Sequence, residues 1–243
     1  MDSPKISFVA SSIRPQYWKD MYNSLLSNQL PWEMIMVGPN PGESPGPNFA
    51  YIQSHVKPAQ CYEIGFRQAK GELLSWTADD AIYSPNAVDV AYNFYKQHPE
   101  KTVVAFRTVE DGRDITNVHH FIGRGLASPR MAPFGVMSTK IFRELGGYDQ
   151  DFICGQSEND VVMRVYESGG TVQVSPAVAI VSHEKAHYQG TVFRSNFYPA
   201  DRQVLEGAWM EDGKVLHQRK YPVRPFSDEN ILTITQGQRG LWK

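Results

Sequence analysis

Apolar residues in this chain fall into short unbroken runs that alternate with stretches of helical periodicity. Residues 6–10, 33–37, 51–54, 73–77 and 102–107 read as strands, each a run of four to eight largely apolar positions. Between them, residues 17–28 place Trp18, Met21, Tyr22, Leu25 and Leu26 on one helical face before Pro31. Residues 59–70 carry Ile64, Phe66 and Ala69 up to a glycine stop at Gly71, and residues 85–96 begin on a proline. Strand and helix in strict alternation predict an α/β domain whose mostly parallel sheet is covered by helices on both faces.

The pattern then changes. Residues 110–133 are polar, contain His119 and His120, and show no period, a loop length that suits a segment ordering over a ligand. Helical spacing returns at 138–145 before Gly146-Gly147 and at 158–167 before Gly169-Gly170. Two short β runs follow at 171–174 and 178–181. The last fifty residues are rich in polar and aromatic groups, with little that resembles a second core. The expected organisation is one domain over 1–195 with a C-terminal extension, 196–243, packed on it.

Composition narrows the function. A chain of 243 residues with a net charge of −2 has no basic footprint for nucleic acid. No apolar run is long enough to span a membrane, and no apolar targeting segment opens the chain, so a soluble cytoplasmic protein is expected. Cys61 and Cys154 sit in no metal-ligand spacing and are expected as free thiols. No glycine-rich dinucleotide fingerprint follows the first strand, no phosphate loop of the NTPase type occurs, and no hydrolase elbow is present.

The candidate chemistry starts where the run Leu73-Leu74-Ser75-Trp76-Thr77-Ala78 stops at Asp79-Asp80. Two carboxylates at a strand end are costly to bury bare, and they call for either a cation or solvent. A hard divalent ion that also binds substrate phosphates is one answer; a solvated turn before Ser84-Pro85 is the other. Further on, Ser157-Glu158-Asn159-Asp160 opens a helix. There one acid suits a general base projecting into the cleft, another an anchor for the loop, and plain charge placement against the helix dipole is the competing reading. His183 follows an apolar run and suits a metal ligand opposite Asp80. His183-Glu184-Lys185-Ala186-His187 also matches the zinc-protease pattern, but Pro176 and Gly190 leave no helix on which both histidines share a face.

In order, these pieces resemble a glycosyltransferase of the GT-A fold, closest to family 2, over about residues 5–187. Ala69-Lys70-Gly71-Glu72, the apolar strand and Asp79-Asp80 are similar to that family's turn, strand and Asp-x-Asp. Gly146-Gly147-Tyr148-Asp149 resembles its acceptor-side element, and residues 158–164 resemble the stretch that carries its base. Two departures stand out: Ala78 replaces the first acid of the Asp-x-Asp, and Ser157-Glu158 replaces the family's Glu-Asp. The resemblance implies a mixed, mostly parallel sheet and transfer of a sugar from a nucleotide-diphosphate donor to a hydroxyl of a glycan or other acceptor, with inversion, as in polysaccharide biosynthesis. It implies Mn²⁺ or Mg²⁺ held by Asp80 and His183. Glu158 would act as base, with Asp160 as the second catalytic acid. Ser11, Arg14, Pro15, Asn40, Glu63 and Asp79 would bind the donor. Two rivals remain: a non-catalytic binding protein of the same fold, and a nucleotidyltransferase, which normally has glycines where Ser11-Ser12-Ile13-Arg14-Pro15 has none.

Overall fold

The computed structural model describes residues 3–116, 129–181 and 198–233. Eleven strands are present among them: β1 (Ile6–Ser11), β2 (Trp32–Gly38), β3 (Phe49–Gln53), β4 (Leu73–Trp76), β5 (Ile82–Tyr83), β6 (Thr102–Glu110), β7 (Arg113–Asp114), β8 (Gly135–Ser138), β9 (Thr171–Val181), β10 (Met210–Glu211) and β11 (Lys214–Val215). The helices are α1 (Trp18–Leu25), α2 (Pro58–Gln68), α3 (Ala87–Lys96), α4 (Thr139–Glu144), α5 (Ser157–Glu167) and α6 (Tyr198–Trp209). One mixed sheet runs in the order β3-β2-β1-β4-β8-β6-β9-β5, with β7 added on β6.

The sheet is buried on both faces, which is why its strands read as continuous apolar runs rather than alternating ones. Alternate residues nevertheless serve different cores. Val9, Ile35, Leu74, Val103 and Met137 face α2, α4, α5 and α6. Phe8, Met34, Leu73, Val104 and Val136 face α1 and α3. The strands β3, β2, β1 and β4 are mutually parallel, and β1 lies between β2 and β4. The chain therefore leaves β1 in one direction to build β2 and β3 and returns to its other side for β4. That reversal makes the carboxyl ends of β1 and β4 a topological switch point, where open α/β sheets bind ligands.

Several elements differ from their sequence reading. Strand β8 is only four residues long and runs antiparallel between β4 and β6, within a stretch where no strand is expected. The two β runs near the end are one strand, β9, whose register against β6 slips between Ala105 and Arg107. That irregularity lets a strand hold Pro176, since a bulge spares the missing N–H. Residues 198–233 add no second core: Leu205, Ala208, Trp209, Phe226 and Ile231 join the cluster under α2 and α5.

Gly38 fixes how closely β2 approaches the loop after β1. A Cβ there would lie 1.7 Å from the Ser12 carbonyl oxygen, a backbone atom that cannot rotate away. Gly38→Ala is expected to lower unfolding stability by about 1–3 kcal/mol, read by denaturant titration; an unchanged midpoint would mean that the two loops do not touch in solution.

Candidate active site

Strand β1 ends at Ser11, and the chain turns through residues 12–14 into a 3₁₀ turn, Pro15–Tyr17. Strand β4 ends at Trp76 beside it, and residues 77–80 follow. The two ends are joined by a dense set of hydrogen bonds. Asp79 accepts from the Ser12 hydroxyl at 2.9 Å, from the amides of Ile13 and Arg14 at 3.1 and 3.0 Å, and from Arg14 Nε at 2.9 Å. Arg14 Nη2 donates to it as well. Ser12 Oγ is itself held by the indole N–H of Trp18 at 2.7 Å.

A carboxylate offers about four lone-pair sites, so five donors from one loop saturate Asp79. It is buried to 2% exposure. So engaged, Asp79 shapes the β1 loop and orients Arg14, which places it behind the residues expected to meet the donor. Asp80 differs. Arg14 Nη1 donates to Asp80 Oδ2 at 2.9 Å, while Oδ1 is buried with no hydrogen-bond partner. Burial raises the Asp80 carboxyl above its ordinary range, against the pull of Arg14, and the neighbouring charge of Asp79 adds to the rise. An orphaned carboxylate oxygen of this kind is a ligand position for a hard cation.

The other expected donor contacts divide in two. Ser11, Arg14 and Pro15 lie on the β1 loop, and Asn40 reaches it by donating from Nδ2 to the Ile13 carbonyl at 2.9 Å. Glu63 does not join them. It is buried in α2, accepts from the Tyr148 amide at 3.1 Å and pairs with Arg67, beneath Gly147, where any side chain would strike its carboxylate. Burial raises its carboxyl above the ordinary range. Glu63 thus ties α2 to the turn after α4 and lies away from the β1 loop. Its neighbour Tyr62 points the other way, donating to the Thr77 carbonyl at 2.6 Å.

At the start of α5 the two acids separate clearly. Asp160 is fully buried and accepts from Arg164 Nε at 2.9 Å, Trp209 Nε1 at 2.8 Å and Arg219 Nε at 3.0 Å. Arg219 also grips Asp149 at 2.7 Å. Its lone pairs so engaged, Asp160 takes the anchoring place, not that of a proton acceptor. Of the two roles expected of the acids at this helix start, the contacts of Asp160 fit the loop anchor. Glu158 is half-buried, two residues after Gln156, whose backbone is left-handed at φ 64°. Burial pushes its carboxyl up to about 7, and the charge of Asp201 adds to the rise. A carboxylate poised near neutrality suits general-base work. The rings of Tyr62 and Tyr148 lie 5.9 Å apart, tilted by 53°, and Tyr148 feels the charge of Glu158.

His183 lies outside the described residues, as do His119, His120 and His187. Among the described residues no group of three or more His, Cys, Asp or Glu side chains is placed to hold a metal. A divalent ion, were one bound at this end of the sheet, would meet the carboxylate of Asp80 and substrate phosphates, a ligand set that Mg²⁺-like ions accept. The sequence reading missed Asp201 and Arg219. Asp201 carried only the weak signal of an acid in the first turn of a helix, and Arg219 carried none, because its partners lie 59 and 70 residues earlier.

No protein-family model matches this chain, and no curated protein matches its sequence. Solved structures do. The S. aureus TarS 1–349 structure superposes with a TM-score of 0.54 at 14% identity, covering 73% of this chain and 58% of that one. In complex with UDP-GlcNAc the same fragment gives 0.58 at 15% identity, covering 86% and 68%. The mannosyltransferase PcManGT from Pyrobaculum calidifontis, in complex with GDP-Man and Mn²⁺, gives 0.57 at 14% identity, covering 74% and 57%. This chain thus spans little more than half the length of PcManGT and of TarS 1–349 in the first superposition. At such identities a likeness speaks for architecture, and this chain has the GT-A fold.

Proposed function

We propose that this protein is a divalent-cation-dependent glycosyltransferase that moves a sugar from a nucleotide diphosphate to an acceptor hydroxyl. The observation that carries the reading is the buried, unpartnered Oδ1 of Asp80 at the switch point of a GT-A sheet. That the neighbours were solved with UDP-GlcNAc, or with GDP-Man and Mn²⁺, supports a nucleotide-sugar donor here. A bound Mn²⁺ or Mg²⁺ would act as a Lewis acid on the departing diphosphate.

The chain's own residues supply the rest. The β1 loop, fixed by Asp79, presents Arg14 beside Asp80 as a constant positive group at the donor end. Glu158 takes the proton of the acceptor hydroxyl as its oxygen bonds to the anomeric carbon. The bond from that carbon to the phosphate oxygen breaks, and its electron pair leaves with the diphosphate. A single displacement of this kind inverts the anomeric centre. A hydroxyl of a glycan or of another acceptor fits this chemistry.

One observation favours a second reading. Arg14 already occupies Asp80 Oδ2, as in a protein that binds a sugar nucleotide without turning it over. One experiment addresses both. Thermal unfolding with UDP- and GDP-sugars, with and without Mn²⁺, is expected to show one donor raising the midpoint only when Mn²⁺ is present. At a hundredfold excess over Kd the gain is about 2.7 kcal/mol, which is about 5–10 °C for a domain of this size. No shift with any donor would sink the nucleotide-sugar reading. A shift without donor hydrolysis or transfer would select the binding protein.

A further inference from the structure

Asp201 lies in the first turn of α6 and is fully buried, yet its carboxylate faces no arginine among the described hydrogen bonds. It accepts instead from three consecutive backbone amides: Ile153 at 2.7 Å, Cys154 at 2.7 Å and Gly155 at 2.9 Å. Successive N–H groups converging on one anion form a nest, normally a site for a bound phosphate or sulfate. Here the chain fills its own nest, with charge-assisted bonds stronger than neutral ones. The Lys57 ammonium feels Asp201 while donating to the Gln150 carbonyl.

The segment so held leads straight into the base. Gly155 is followed by Gln156, a non-glycine residue at φ 64°, whose carbonyl accepts the Asp160 amide at 3.0 Å to open α5. Such a backbone persists only where its surroundings over-determine it. Two contacts do so from opposite sides: Asp201 takes the amides of residues 153–155, and the Ala59 amide donates to the Ile153 carbonyl at 3.0 Å. Ala59 begins α2, the helix whose Tyr62 holds the Thr77 carbonyl at the end of β4. One helix thereby references the base loop to the donor end of the sheet, and Asp201 closes the arrangement from outside.

We infer that Asp201 is a positioning residue for sugar transfer, which fixes Glu158 against the acceptor by holding the backbone of residues 153–155. This rests on the reading of Glu158 as general base. Asp201 itself and Tyr148 are ionisable groups whose charge couples to that of Glu158.

The test compares the full-length wild type, Asp201→Asn and Glu158→Gln by kcat, donor KM and the pH dependence of kcat. Asp201→Asn keeps one acceptor oxygen but loses the charge and at least one amide bond. Its kcat is expected to fall about 10- to 100-fold at a pH above the acidic limb, with donor KM unchanged. The limb itself should move to lower pH, because the anion facing Glu158 is gone. A wild-type kcat, or a donor KM that rises as far as kcat falls, would overturn the inference; the second outcome would make Asp201 a general structural residue only. If the Asn variant does not fold, Asp201→Glu serves. It keeps the charge one methylene further out, so kcat should fall with the limb at its wild-type pH, and a wild-type kcat would be decisive against the idea. Glu158→Gln separates the two levels. If it turns over normally, the base assignment itself has failed; if it is inactive while Asp201→Asn is normal, only the positioning role has.

Discussion

Replacing Asp80 with Asn is expected to lower metal-dependent donor turnover by about 10²–10³-fold without weakening the fold. The two halves of that expectation come from one physical fact. Asp80 carries a buried carboxylate with one oxygen unpartnered, and its carboxyl is shifted upward, so ionising it in the folded protein is unfavourable. The sign follows directly: a carboxyl raised by folding costs stability once pH exceeds its ordinary range, and the cost fades on acidification. The neutral amide removes that cost at pH 7, while its remaining oxygen can still accept from Arg14 Nη1. Arg14 also keeps its bonds to Asp79. The unfolding midpoint should therefore stay level or rise as activity disappears, the usual trade at a functional site. Turnover at the wild-type rate, with Mn²⁺ still required, would remove Asp80 from the reaction.

The second large effect concerns Glu158. Glu158→Gln is expected to reduce kcat by about 10²–10⁴-fold with little change in donor KM, because the amide cannot accept the acceptor's proton but disturbs no donor contact. In the wild type, the base must be ionised to work and its carboxyl lies at about 7. The kcat profile should therefore climb tenfold per pH unit on its acidic side and level off above pH 7. An acidic limb near 4.5, where an ordinary glutamate titrates, would show that the environment of Glu158 in solution is not the half-buried one seen here. Normal turnover by the Gln variant would place the base elsewhere.

How much of this was legible in the residues varies by element. Strands β1, β2 and β4 and helices α1, α2 and α5 announce themselves, because each is long enough to show a period or an unbroken run with a proline or glycine at its end. Strand β8 does not: four residues buried on both faces carry no alternation, and its antiparallel placement depends on β4 and β6, which lie far away in the chain. Helix α6 is hidden for a different reason. Its apolar residues belong to the core of the sheet domain, so its segment looks too polar to form a core of its own.

The site divides along the same line. The sequence by itself determined that acids would gather at the end of β4 and at the start of α5, since both follow from local chemistry: an apolar run that stops and a helix that begins. It also put Arg14 and Pro15 just past the first strand, beside the end of β4. It had no means of ranking one acid against its neighbour. Asp79 and Asp80 are chemically identical and adjacent, as Glu158 and Asp160 nearly are. What separates the first pair is the loop 65 to 67 residues earlier, which saturates Asp79 and leaves one oxygen of Asp80 open. What separates the second is Trp209 and Arg219, 49 and 59 residues later, which bury Asp160 in an ion-pair network and leave Glu158 to titrate near neutrality. Glu63, a donor contact by resemblance alone, accepts from the Tyr148 amide. Reactivity here is set by lone pairs still available after folding, and only the tertiary structure decides which those are.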